Sequence, residues 1–447
     1  MPQQTNRKLI ILDPSLKDTG GHFYEYDLAV AAAALRREMS TEIYAHKSCS
    51  AGLAIPGGEI QPWFTTEWSA AGGRIRTVVR FVLSNLPTSL RVPLAKIGRR
   101  VWGLVKNWGR PPRGADKTKI SAAAKTFEIE AIAAIRHAMA GADDIIFLPT
   151  IRTSELFALW EAARNTAALQ SLQFHVVLRR DAAEMDLPEG GAPGISLLFR
   201  NMQTMPTGAA FTFYCDTDQL CRDYELLPHS FEFRLLPIPF PNSKPDAVSL
   251  ERWSAGSKTK LVYLGGPRVE KGFHLIAPAA HLLQKRFPGT LLWRLQAPAS
   301  DGLEEPEVIE ARRRFSSMRD GSIDLVDRNL NSAEFQSLLL SADIVILPYL
   351  PEFYRARSSG ILVQVLAAGK PVIVPSGTWL SSQTNGVGAV EFTEPADFAD
   401  AVLRAVQQLP KLVQEAQGRA AAYTAYHDAN VLLEILEKGG HRAGEYP

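Results

Sequence analysis

Residues 343–375 read DIVILPYLPEFYRARSSGILVQVLAAGKPVIVP. Asp343 to Pro348 is a short apolar run of the kind that fills a parallel sheet covered on both faces. The loop after it carries Glu352, Tyr354, Arg355, Arg357, Ser358 and Ser359, more polar chemistry than a connection needs. Gly360 to Ala368 has helical composition, Gly369 is a C-terminal stop, and Pro371 opens a second buried strand. Strand, polar loop, helix and strand make one unit of an open α/β sheet, whose ligands sit at the carboxyl ends of the strands. A helix N-terminus there offers free N–H groups and a positive dipole end to an anion. Two readings fit the segment. It is an ordinary βαβ unit with a polar loop, or it holds a phosphate-bearing ligand against Ser358, Ser359 and Gly360.

The size of the chain sets the frame around this unit. At 447 residues it exceeds one typical hydrophobic core, so two domains are expected. An apolar fraction of 46% and a charged fraction of 21% describe a soluble globular protein. Cys49, Cys215 and Cys221 lack metal-ligand spacing and form no disulfide framework, which fits reduced thiols in a cytoplasmic protein. The opening MPQQTNRKLIILDPS has too short an apolar run for a signal peptide, and no stretch reaches the roughly 18 apolar residues of a membrane span.

Lys8 to Pro14 is a first strand, followed by a helix through about Arg37 and a second strand at Thr41 to Ala45. The turn between the first strand and the helix holds Gly20 and Gly21, which suit either a close ligand approach or a plain tight turn. His22, Tyr24 and Glu25 begin the helix on the same side. Further α/β alternation predicts strands at Asp144 to Pro149, Phe174 to Leu178, Ala210 to Cys215 and Arg234 to Pro239. The Phe174 to Leu178 strand ends in Arg179, Arg180 and Asp181, charges that line a cleft rather than a core. The Gly, Pro and acid-rich loop through Met185 to Pro193 reads as mobile. Prolines between 239 and 245 mark a linker, and LVYLGG opens the second half, with Arg268 and Lys271 at the turn after it. Long cations beside a glycine pair at such a turn suit phosphate oxygens, or are simply solvated. Strands at Leu291 to Leu295 and Ile323 to Val326 lead to residues 343–375, and the tail reads as helices over Pro395 to Leu409 and Leu412 to Glu437.

Between Arg74 and Lys119, 12 Lys and Arg residues are opposed only by Asp116, with Phe81, Trp102 and Trp108 interleaved. A basic amphipathic segment with tryptophans fits anionic lipid headgroups or an acidic acceptor. An inserted helical pair with a solvated basic face fits as well. Nucleic-acid binding has no accompanying motif, and no nucleic-acid partner is expected.

The segments LVYLGGPRVEKGFHLI and SADIVILPYLPEFYRARSSGILVQVLAAGKPVIVP resemble the donor domain of retaining GT-B glycosyltransferases of the family 4 group. The LAAGKPVIVP ending is the most specific part. The first half matches by architecture and by its glycine turn. The resemblance implies an α/β fold of two Rossmann-like, doubly wound domains facing a cleft. Residues 1–240 would form the acceptor-side domain with the basic insertion, 241–259 a linker, and 260–420 the nucleotide-sugar donor domain. The last helix, within 421–447, would pack back on the first domain.

The resemblance also implies site residues. Arg268 and Lys271 would clamp a nucleotide diphosphate, with Gly265, Gly266, Tyr354, Arg357, Ser358, Ser359 and Gly360 completing the donor site. Of the family's two glutamates, one falls on Gln364, which can still hydrogen-bond a ribose hydroxyl. The other falls on Ala356, so the neighbouring Glu352 is the candidate for reading sugar hydroxyls. The family's acceptor-side histidine corresponds to Arg180. Gly20, Gly21, His22 and Asp181 would line the acceptor side.

A nucleotide-diphosphate sugar is then the co-substrate, with no metal and no other cofactor. The acceptor would be a glycan, a lipid-linked or a small molecule, and the enzyme would be cytoplasmic or peripheral on the inner face of the membrane. A nucleotide-sugar epimerase and a non-catalytic binding subunit of the same architecture are the alternatives. The first would want acid/base residues in the cleft. The second is motivated by Gln364 and Ala356. Docking through residues 74–119 predicts co-sedimentation with phosphatidylserine-containing vesicles that fades as NaCl rises. Equal binding to neutral vesicles would count against it.

Overall fold

The computed structural model describes residues 7–18, 22–49, 53–66, 121–241, 258–299, 304–318 and 320–438. The basic segment 74–119, Gly20, Gly21, the His22 side chain and most of the linker lie outside the described residues.

Two parallel sheets carry the fold. The first contains β1 (Lys8–Asp13), β2 (Ser40–His46), β3 (Gly58–Phe64), β4 (Ile145–Leu148), β5 (Gln173–Val177), β6 (Ala210–Cys215) and β7 (Phe233–Leu235). Their order is β3-β2-β1-β4-β5-β6-β7. The second contains β8 (Thr259–Tyr263), β9 (Leu291–Gln296), β10 (Ile323–Val326), β11 (Ile344–Ile346), β12 (Val372–Pro375) and β13 (Ala389–Phe392), ordered β10-β9-β8-β11-β12-β13. Each order reverses direction beside its first strand, at β1/β4 and at β8/β11. A doubly wound sheet opens its ligand crevice at such a reversal, outside the carboxyl ends of the strands.

Alternation explains why these strands read as continuous apolar runs. In β1, Leu9 and Ile11 enter one core cluster while Ile10 and Leu12 enter the cluster on the opposite face. In β8 and β11, Val262 and Val345 join the same cluster as Leu9 and Ile11, whereas Leu261 and Ile344 face a third. Both faces of both sheets are therefore apolar, as parallel sheets require. One apolar cluster is shared by the two halves.

Several helices decide where the site falls. Helix α1 (His22–Arg36) follows β1, α2 (Ala122–His137) precedes β4 and α3 (Thr153–Asn165) follows it. A short α4 (Ala182–Met185), α5 (Ile195–Thr204) and α6 (Asp218–Glu225) complete the first half. In the second half α7 (Phe273–Arg286), α8 (Pro306–Ser317) and α9 (Ser332–Leu340) precede β11. The one-turn α10 (Pro351–Tyr354) and α11 (Gly360–Ala367) connect β11 to β12, and α12 (Trp379–Thr384) follows β12.

The structure departs from the sequence reading in four places. The expected strand over Arg234 to Pro239 ends at Leu235, because Pro237 and Pro239 bring no N–H to a ladder. The 185–193 loop, read from its composition as mobile, carries two hydrogen bonds to neighbouring segments: Ser121 N donates to Gly190 O at 2.5 Å, and Asp186 Oδ1 accepts from Ser196 N at 2.9 Å. The helix expected over Leu412 to Glu437 is two. After α13 (Phe398–Gln407), α14 (Leu409–Tyr426) stops at His427, whose Nδ1 accepts Ile238 N at 2.9 Å, and Asp428 takes the N–H of Asn430 at 2.7 Å as α15 (Ala429–Lys438) begins. Strands β3 and β13 and helices α5, α6 and α12 carry no strong sequence signal. Helix α15 packs on α1, where Arg37 Nη1 bonds Glu437 Oε2 at 2.5 Å. Among the described residues, no helix is long and apolar enough to cross a membrane.

One close approach joins the β8 and β11 exits. Gly272, the N-cap of α7, has φ +67 and ψ 18, and a Cβ there would collide with the Pro348 carbonyl. Leu350 N also donates to Glu270 O at 3.0 Å. Gly272→Ala is expected to lower stability by roughly 2 kcal/mol or more, from the left-handed backbone and the clash together. Thermal or urea unfolding checks this, and an unchanged midpoint would show that the two loops are not pressed together.

Candidate active site between the two sheets

The turn after β8 and the loop after β11 meet at the crevice of the second sheet. Gly265, at φ +97, donates its N–H to Gln296 Oε1 at 2.7 Å. A Cβ there would come within 2.7 Å of Ile361 Cδ1 and 3.0 Å of Lys271 Nζ. The bare backbone lets this turn lie against the start of α11 with the lysine ammonium beside it. A Cβ on Gly266 would meet nothing, so packing does not demand glycine at that position.

Three cations surround one carboxylate at this junction. Glu270 accepts from Arg357 Nη1 at 3.1 Å and from Arg268 Nη1 at 3.4 Å. Lys271 Nζ lies 5.9 Å from the centroid of the Tyr349 ring, and the Arg357 guanidinium 5.6 Å from that of Tyr354. Burial opposes ionisation of Glu270, but Arg357, Arg268 and Lys271 together hold its carboxyl below the usual range. Lys271 is pushed down to about 8, by burial first and then by the charge of Arg268, against the pull of Glu270. Formal charges of three plus and one minus leave an excess that a multivalent anion would neutralise.

The N-terminus of α11 faces the first domain. Ser359 Oγ accepts from Leu362 N at 3.2 Å and so caps its own helix. Ser358 Oγ donates to Asp216 Oδ2 at 2.6 Å, and Thr217 Oγ1 donates to the carbonyl of Ala356 at 2.7 Å. Gln364, one turn further on, is bonded to Gln336 and to Glu25 of α1. Glu25 and Gln364 line a narrow cleft with Tyr26, Ile238, Phe240 and Gly360.

On the first-domain side, Arg180 Nη1 pairs with Glu184 Oε1 at 3.3 Å. Asp181 Oδ1 accepts from Arg355 Nη2 at 3.3 Å, and Asp223 Oδ2 takes the same nitrogen at 2.5 Å. Arg355 thus ties the donor loop to the first domain. Glu352 lies exposed on α10 and makes no hydrogen bond or ion pair with any described residue. The structure therefore gathers Arg268, Lys271, Tyr354, Arg357, Ser358, Ser359 and Gly360 at one junction, sets Arg180 and Asp181 across from it, and leaves Glu352 outside.

Several residues at the junction were not singled out by sequence reasoning. Asp13 at the end of β1, Asp27 on α1 and Asp216 just after β6 converge on Arg179, and all three acids are buried. Arg179 Nε lies 3.5 Å from Asp216 Oδ2, and its guanidinium 4.7 Å from the centroid of the Tyr26 ring. Burial pushes Asp13 up to about 6, against the Ser15 N–H and the charge of Arg179. Burial, and then the neighbouring Asp13, push Asp27 well above the usual range, and burial also raises Asp216. The available signal was an acid at the carboxyl end of an apolar strand, present in both KLIILD and AFTFYC-D. Glu270 was hidden by its position between the two cations that drew attention.

No family model matches this sequence, and no curated protein matches it. Solved structures share its fold. It aligns with a sucrose-phosphate synthase from Thermosynechococcus elongatus at 12% identity and a TM-score of 0.60, over 96% of this chain and 98% of that one. An α,α-trehalose-6-phosphate synthase from Burkholderia multivorans aligns at 12% identity and 0.60, over 98% and 99%. Anabaena HepE, solved in complex with UDP and glucose, aligns at 15% identity and 0.55, over 96% and 98%. The chain has the two-domain GT-B fold.

The depressed Lys271 ammonium gives the junction a pH signature. An anion favours the charged lysine, so pyrophosphate binding should be full below pH 8 and weaken as pH rises through about 8. Lys271→Met should flatten that profile in calorimetric titrations. A wild-type affinity constant from pH 6.5 to 9.5 would show that the lysine does not meet the anion.

Proposed function

We propose that this chain is a glycosyltransferase that takes a sugar from a nucleotide-diphosphate sugar. The observation that carries the proposal is the cation group of Arg268, Lys271 and Arg357 around Glu270, set at the crevice of the second sheet and opposite that of the first. Two fold relatives support the ligand class: HepE was solved with UDP and glucose, and an E. coli trehalose-6-phosphate protein with UDP-2-fluoro glucose.

Departure of a nucleoside diphosphate builds charge on its phosphate oxygens, and preorganised cations stabilise that charge as it forms. Arg268 and Lys271 supply it from the β8–α7 turn, with Arg357 from the donor loop and the N–H groups at the start of α11. In this scheme the departing phosphate accepts the acceptor's proton, so transfer proceeds with retention and without a metal. The acceptor, a glycan, a lipid-linked or a small molecule, approaches from the first domain near Arg180 and Asp181. The enzyme works in the cytoplasm, with residues 74–119 bringing it to an anionic membrane surface.

Epimerisation of a nucleotide sugar is a second reading, favoured by the buried acids Asp13 and Asp216, whose carboxyls burial pushes above the usual range. A thermal-shift screen over UDP, GDP, ADP, dTDP and CMP sugars tests the ligand class, because a bound donor raises stability by mass action. Arg268→Ala should weaken the best nucleotide about tenfold, the loss of one charge-assisted hydrogen bond. No shift with any sugar nucleotide would sink the proposal. A change of sugar stereochemistry without an acceptor would favour epimerisation.

A further inference from the structure

Asp13 closes β1, Asp27 lies in the second turn of α1, and Asp216 follows β6; they are 1%, 0% and 5% exposed. Few donors reach them. Asp13 Oδ1 accepts the N–H of Ser15 at 2.8 Å, and Asp216 Oδ2 the hydroxyl of Ser358 at 2.6 Å. Asp13 Oδ2, Asp216 Oδ1 and both oxygens of Asp27 are buried without a hydrogen-bond partner among the described residues. Arg179 is the cation whose charge bears on all three acids. Its guanidinium lies over the Tyr26 ring, and Arg357 reaches Asp216 from the donor loop. The Cys49 thiol, with Asp18 beside it, faces Asp13 and Asp27 from the end of β2 and is pushed up by burial first.

Three buried carboxylates against one guanidinium would leave two negative charges uncompensated in the first domain. Asp27 would be an ion with no donor at either oxygen, which burial penalises heavily. A bound proton removes one of those charges and turns one acceptor oxygen into a donor. Asp13 is the acid whose charge bears most on Asp27, so the two titrate as a unit.

We infer that Asp13 and Asp27 hold one proton between them at neutral pH, and that Arg179 ties the charge of this pair to Asp216 and so to its contact with Ser358 across the cleft. Burial pushes Asp13 up to about 6 and Asp27 well above the usual range, in keeping with that proton. While it is bound, Arg179 balances Asp216 and one carboxylate of the pair. Once it leaves, a third carboxylate competes for the same guanidinium. The contact between the domains thereby answers to a proton held inside the first one. This inference stands apart from the nucleotide-sugar reading, and either can fail alone.

In the unfolded chain both carboxyls are ionised above about pH 4, so a proton kept by the fold makes stability fall as pH rises. The fall runs from about pH 4 past the Asp13 value near 6, until Asp27 also ionises. Asp27→Asn keeps the shape of the protonated side chain and carries no proton. Urea unfolding of the full chain from pH 5 to 8.5 should show the midpoint of Asp27→Asn gaining on wild type as pH rises, a difference that removes titrations common to both. A midpoint difference independent of pH would overturn the inference. Infrared spectra at pH 7 should show the C=O stretch of a protonated carboxylic acid in wild type that Asp27→Asn lacks, and identical spectra would overturn it as well. Asp216→Asn takes away one competitor for Arg179, so in that background the pH-dependent gain should shrink by about half or more. An undiminished gain would sink the link to Asp216. Should Asp27→Asn fail to fold, Asp13→Asn takes its place in each measurement, since either substitution dissolves the pair.

Discussion

Glu270 sits among Arg268, Lys271 and Arg357, and the junction of the two loops depends on it. Like charges about 4 Å apart repel by about 4 kcal/mol at an effective dielectric near 20, so three cations would not gather unaided. One carboxylate, bonded to both arginines, offsets part of that repulsion and leaves the rest. Lys271 is pushed down to about 8 by burial first, and then by the charge of Arg268, which the neighbouring carboxylate only partly offsets. The site is thus assembled but under-neutralised, which is the electrostatic condition for binding an anion tightly.

The same junction is where the domains meet. Asp216, at the end of a first-domain strand, takes the hydroxyl of Ser358, and Thr217 takes the carbonyl of Ala356. These bonds place a buried carboxylate at the N-terminus of α11, a position that favours negative charge. An incoming phosphate would share that seat with Asp216. The raised pKa of Asp216 bears on this, because its carboxyl is more readily protonated than an exposed one, and the neutral form repels a phosphate less.

The architecture was legible because parallel strands buried on both faces must be apolar throughout. KLIILD, IIFL, KLVY and DIVIL announce themselves for that reason, and Gly369 at φ +62 and Gly272 at φ +67 punctuate the helices next to them. Elements at the margins were not legible. Strand β3, GEIQPWF, has an exposed burial pattern and a proline, and so lacks the signal that marked its neighbours. The break between α14 and α15 was also hidden, since His427 is helix-compatible by composition and its bond at the break is to the distant Ile238.

By itself the sequence determined two doubly wound domains, the cationic turn at Arg268 and Lys271, and the polar loop that ends at Gly360. Local period, glycine position and charge at strand ends carry that information, and all of them are properties of neighbouring residues. Only the tertiary structure decided which first-domain acids meet the segment that ends the polar loop and begins α11. Glu25 meets Gln364 across 339 residues of chain, and Asp216 meets Ser358 across 142. No local pattern announces a contact across such distances. It arises where the two sheets, each opening at its own reversal of strand order, turn those openings toward each other.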